Sequence, residues 1–177
     1  MHKLPLAVLS CVFFAAASSA VAQADLSYEI AYSVDGWPKM STRADGKLNA
    51  HTFTFAAKAP QTAPTGTVNV QPLTMVIPVG DPAALFMKHA LEVRLLNSVL
   101  IEALPAGVPK PPSRAPFAVR LSGVRVASVE IGVAGKGTVS VQLQPMKVEV
   151  FTATQTPTGA MQPGQQFGWD VVRGKLM

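Results

Sequence analysis

Apart from His2 at its start, the chain holds two histidines, His51 and His89, and its single cysteine is Cys11. These residues and ten acids are its stock for chemistry. A zinc centre needs His, Cys or acid ligands at close, recurring spacings, and no such spacing is present. Composition alone leaves room for a Ser-His-Asp site, but the chain has no Gly-x-Ser-x-Gly elbow to expose a nucleophile. Gly132-x-x-Gly135-x-Gly137 lacks the Lys-Ser/Thr pair that makes a phosphate loop, and it joins two strand-like runs, so it reads as a hairpin turn. His89 falls on a helix-like stretch and reads as a surface residue. The acids are dispersed along the chain. The sequence therefore assigns no catalytic, cofactor-binding or metal-binding residue, and it reads as a non-enzymatic protein.

Composition narrows the function classes further. The chain has 177 residues, 49% of them hydrophobic and 14% charged, with 15 prolines and 13 glycines. Low charge, Val/Thr-rich runs and frequent turn formers suit one mainly β domain. The basic residues are scattered from Lys39 to Lys175 rather than clustered, so no nucleic-acid footprint is expected. His2 and Lys3 precede an apolar run from Leu4 to Ala17 and then small residues, the pattern of a signal peptide with cleavage after Ala22 or Ala24. The expected organisation is a signal peptide over 1–24 and one domain over 25–177, exported to the periplasm or secreted, with no membrane span after cleavage. Removal of 1–24 takes away Cys11, so the exported domain has no disulfide and its stability rests on packing.

The elements follow from hydrophobic period. In 138–152, Val139, Val141 and Leu143 alternate with polar residues as far as Pro145. Beyond it Met146, Val148 and Val150 form the apolar set. Successive side chains of a strand point to opposite faces, so this is one strand whose phase flips at Pro145 through a bulge. Phe117, Val119 and Leu121 likewise give way to Val124 and Val126 at Gly123, so 117–131 and 138–152 read as a strongly bent hairpin. Further strands are predicted over 26–34, over 48–58 with Phe53 and Phe55 on one face, over 67–77 with Val68, Val70 and Leu73 inward, from about 97, and over 167–173 with Trp169 as a buried anchor. Asp81 as N-cap and Pro82 as first residue open a helix to about Arg94. Trp37 is expected to cap one end of the core. Pro60–Gly66, the five-proline stretch Pro105–Pro116 and Pro157–Gly164 read as loops.

The order of several segments resembles the haemolysin-coregulated protein (Hcp) family, the tube proteins of type VI secretion. Val68-Asn69-Val70-Gln71-Pro72-Leu73-Thr74, the helix opening at Asp81-Pro82 with Leu85-Phe86, the strand Val119 to Val129 and the C-terminal Phe167-Gly168-Trp169-Asp170 occur in that family's order, and Val34-Asp35-Gly36 matches its first strand and turn. The resemblance implies a small antiparallel β-barrel of two sheets with one flanking α-helix. It also implies self-assembly into rings, as homohexamers that stack into a tube and carry effector proteins, with no active site and no cofactor. The chain departs from the family in its signal peptide, in the short Pro60–Gly66 loop, in Phe53-Thr54-Phe55 where the family has Trp-x-Trp, and in the short Gly132–Gly137 connection. These departures leave an alternative, an exported monomeric binding module that reuses the barrel.

Overall fold

The computed structural model describes residues 27–41, 43, 45–58, 69–107, 114–132, 137–156, 158 and 160–177. The expected signal peptide, the Pro60–Gly66 loop, Val68 and most of the Gly132–Gly137 connection lie outside the described residues. The strands are β1 (Tyr28–Val34), β2 (Leu48–Ala50), β3 (Thr52–Thr54), β4 (Ala57–Lys58), β5 (Asn69–Val70) and β6 (Leu73–Pro78). After the helix α1 (Asp81–Leu91) come β7 (Leu96–Pro105), β8 (Phe117–Gly132), β9 (Thr138–Gln155), β10 (Met161–Asp170) and β11 (Lys175–Leu176).

All pairings are antiparallel, and β9 is the hub. One of its edges pairs with β8 along the whole hairpin, from Gly132↔Thr138 to Phe117↔Thr152. Its other edge is divided, with β6 taking Thr138 to Leu143 and β10 taking Lys147 to Gln155. The sheet continues from β8 through β7 and β1 to β2, while β3 extends it beyond β6. The expected antiparallel barrel holds in its strands, but among the described residues no ladder closes its sheet: apart from β11, which ends the branch through β10, the ends of this wall are β2 and β3. They are also consecutive pieces of one chain segment joined at His51, whose N–H donates to the Val76 carbonyl at 2.7 Å. The wall thus comes round on itself through backbone continuity rather than through a further ladder.

The phase change in the hairpin is real, but its mechanism differs from a simple inserted residue. Leu121 and then Val124 face the core on β8, as do Pro145 and then Val148 on β9. Ser122↔Lys147 and Val124↔Pro145 keep the same register on both sides, because both strands step out of phase together. Gly123, at φ +59, allows the step on β8. Met146, expected to point inward, is instead 44% exposed and lies against Gly123. The true bulge lies further along, between Val126 and Ser128, and there β8 alone gains a residue. The kink sits where β9 exchanges β6 for β10, so one strand serves two differently inclined parts of the sheet.

Leu73, Met75, Ile77, Val99, Ile101, Leu121 and Leu143 are fully buried between these walls. The α1 helix closes one end against β8 with a stripe at Ala83, Phe86 and Ala90, a spacing that places them on one helical face. Phe86 has no exposure and meets Tyr32 at 6.2 Å and the edge of Trp37 at 4.7 Å between ring centroids. Trp37 therefore has its expected capping role. Burial pushes the ionisation of the Tyr32 hydroxyl upward. Phe53 and Phe55 pack half-buried on the core, with Phe53 stacked on Phe117 at 6.3 Å.

Both helix ends correct the sequence reading. The N-cap is Gly80, not Asp81, and no side chain caps the first turn; Asp81 opens the helix, where its charge still complements the helix dipole. The helix stops at Leu91 because Val93 adopts φ +53. Arg94 N–H then donates to His89 O at 3.1 Å and Val93 N–H to Ala90 O at 3.3 Å, which is a Schellman closure with valine in the position glycine usually fills. The strand expected over 167–173 is β10, which begins earlier, at Met161, and is followed by β11. Its first half is exposed on both faces and carries no apolar alternation to reveal it.

Candidate assembly surfaces and an outer-face cleft

The loop between β1 and β2 is fastened by Arg43. Its guanidinium reaches Asp45 through Nε at 3.1 Å and through Nη2 at 3.3 Å, and it also donates to Asn49 at 2.8 Å and Glu29 at 3.3 Å. Asp45 accepts in addition from the Lys47 N–H at 3.1 Å. Burial alone would raise the Asp45 pKa, but the Arg43 hydrogen bond and the Lys47 N–H together outweigh it and hold the carboxyl below its ordinary value. Ser41 Oγ donates to the Lys47 carbonyl and accepts from the Arg43 N–H, so the clasp is tied to the backbone on both sides.

The two histidines are not brought into a site. His51 is exposed at the join of β2 and β3. His89 is half-buried rather than on the surface, with its ring 6.2 Å from Trp37 and its Nδ1 buried without a hydrogen-bond partner. Among the described residues no three His, Cys, Asp or Glu side chains gather where a metal ion could be held. No described helix is long and apolar enough to cross a membrane.

Surfaces suited to contact another chain are more prominent. Leu91, the last residue of α1, and Val93 and Leu95 just after it are exposed. Phe167, Val172, Leu176 and Met177 are exposed around β10 and β11. Trp169, expected to be a buried anchor, is half-buried: it pairs across Val148 and Leu176, with its indole nitrogen covered. β11 pairs with Trp169 and Asp170, and Met177 N–H reaches Gly168 O, so among the described residues no strand lies beside the outer edge of β10 from Met161 to Phe167. Such an edge offers a row of backbone donors and acceptors to a further strand.

A second apolar cluster, which the sequence reading did not identify, lies on the face of the sheet away from the main core. Ala31, Leu104, Ala115 and Ala118 are buried there, with Leu100 and Phe151 half-buried beside them. Small residues weigh little in a hydrophobic period; the available signal was the apolar pair Leu100 and Leu104 on the second face of β7. Between this cluster and residues 163–166 of β10 lies a cleft of about 230 Å³.

No protein-family model matches the sequence, and no curated relative is detected. Solved structures do match the fold. A structure described as a type six secretion system protein aligns with a TM-score of 0.71 at 14% identity, over 85% of this chain and 100% of that one. Hcp1 from Salmonella typhimurium aligns with a TM-score of 0.68 at 14% identity, over 85% of this chain and 99% of that one. A type VI secretion system effector from Yersinia pestis aligns with a TM-score of 0.61 at 10% identity, over 80% and 99% of the two chains. The similarity spans these proteins from end to end, and its sheet and single helix are those expected from the ordered sequence segments: the chain has the Hcp fold.

Proposed function

We propose that this chain is a non-enzymatic, Hcp-like structural protein, exported after loss of residues 1–24, that self-assembles head to tail into closed rings, as hexamers able to carry effector proteins. The observation that supports the reading best is the end-to-end match to Hcp1, which leaves about 15% of this chain outside the alignment and almost none of Hcp1. The surfaces agree with it. The exposed edge of β10 and the apolar end of α1 belong to different parts of the chain, and unlike patches that meet head to tail give rings when the rotation closes.

Light scattering coupled to size exclusion, with negative-stain images of the mature chain, tests this. A mass near six protomers with annular particles is expected. A single monomeric peak across micromolar concentrations, without annuli, rejects the ring and leaves an exported binding module.

A further inference from the structure

We propose that the outer-face cleft is a binding site for small amphipathic carboxylates, molecules with one apolar ring or short apolar body and one carboxylate. The inference rests on the cleft itself and holds whether the chain is a ring or a monomer. The sheet register builds the floor. Ala118 on β8 is the cross-strand partner of Phe151 on β9 and of Glu102 on β7, and Leu100 is the partner of Arg120 one step along. Because position 118 is alanine, a hollow opens over the sheet between Leu100 and Phe151.

One wall is shaped by the irregularity in β10 between Pro163 and Gln166. Gln165 N–H donates to Thr152 Oγ1 at 2.8 Å, and that hydroxyl donates to Gln165 O at 3.1 Å. A Cβ on Gly164 would lie 2.6 Å from Thr152 Oγ1, so only glycine lets the strand fold this closely. Bulges of this kind commonly re-aim backbone beside functional sites.

Two cations and one acid line the cleft. Arg114 and Arg120 line it. Arg120 lies over the Phe151 ring at 5.2 Å, and its nearest carboxylate, Glu149, is 3.8 Å away, too far for a good hydrogen bond. The one acid in the lining, Glu102, is paired with Lys47. Guanidinium groups beside an apolar floor match a planar carboxylate carried on an apolar body. The volume lies below the roughly 300–1,000 Å³ of drug-sized pockets, which restricts the ligand to about one ring and its carboxylate.

Ligand-observed saturation-transfer NMR with sodium benzoate, and with benzamide as its neutral analogue, tests the site on the mature chain. Saturable benzoate binding is expected, about tenfold tighter than benzamide. That preference should disappear in R114Q/R120Q, while Ala118→Leu, which fills the floor and leaves both arginines, should abolish binding of both probes. Circular dichroism melts confirm that each variant is folded; should Ala118→Leu unfold, Ala118→Val replaces it, with binding weakened for both probes. No saturation by benzoate, equal affinity for the two probes, an unchanged preference in R114Q/R120Q, or full binding by the folded floor variant would each overturn the proposal.

Discussion

A Cβ placed on Gly123 would stand 3.0 Å from Met146 Sδ, so the side chain that follows Pro145 on β9 lies directly against the residue that lets β8 change phase. Gly123→Ala meets two penalties there, the positive φ and the contact with the thioether. The expected loss is about 1–2 kcal/mol, read by urea denaturation. In the Gly123→Ala/Met146→Ala double variant the crowding is gone and the backbone cost remains, so partial recovery is expected. Full recovery would show that the φ angle contributes nothing.

Val93 gives a change of the opposite sign. It is 65% exposed and holds a left-handed conformation that suits glycine. Val93→Gly relieves that strain and surrenders little packing, offset in part by the freer unfolded chain. A gain of about 0.5–1 kcal/mol in thermal or urea unfolding is expected, and a loss would mean that the Val93 side chain is covered in the native protein.

The aromatic residues separate by burial. Phe86→Ala removes a fully enclosed ring between Tyr32 and Trp37 and should cost about 3–5 kcal/mol. Trp169→Ala removes a half-covered ring at the sheet margin, so the loss should stay below about 3 kcal/mol. Equal losses in equilibrium unfolding would place Trp169 in a core that the structure does not give it.

Acid should loosen the Arg43 clasp. The Asp45 carboxyl is held below its ordinary value in the folded chain, so its charged form favours folding. That contribution is complete above about pH 5 and is lost as pH falls through the lowered folded value, below about pH 4. Thermal melts should show Asp45→Asn less stable than wild type by a constant margin at neutral pH, and the two should converge in acid. A margin that widens in acid would contradict the assignment.

The sequence shows the bent hairpin plainly because Val139, Val141 and Leu143 alternate without interruption and Pro145 marks the change. It misplaces Met146, since an apolar letter beside a kink does not reveal which strand face is open. Asp81 looks like a cap because aspartate so often is one, yet Gly80 takes the position. The end of the helix depends on a valine in an unusual conformation, which no propensity favours. Which strand lies beside each half of β9 is a long-range choice that local period does not encode. The outer-face cleft is hidden for a related reason: it is made by what Ala118 and Gly164 lack, in strands distant along the chain.

The division of β9 also sets the order in which the wall can be completed as the chain is synthesised. β1, β2 and β7 emerge early and can pair among themselves, but among the described residues β6, with β3 attached, has no other sheet neighbour until Thr138 to Leu143 have been made. Nearly four-fifths of the polypeptide must therefore be synthesised before β6 and β3 find their place in the sheet, and contacts this distant in sequence make for slow folding. In this topology the strand made near the end of the chain completes the sheet around strands made near its beginning.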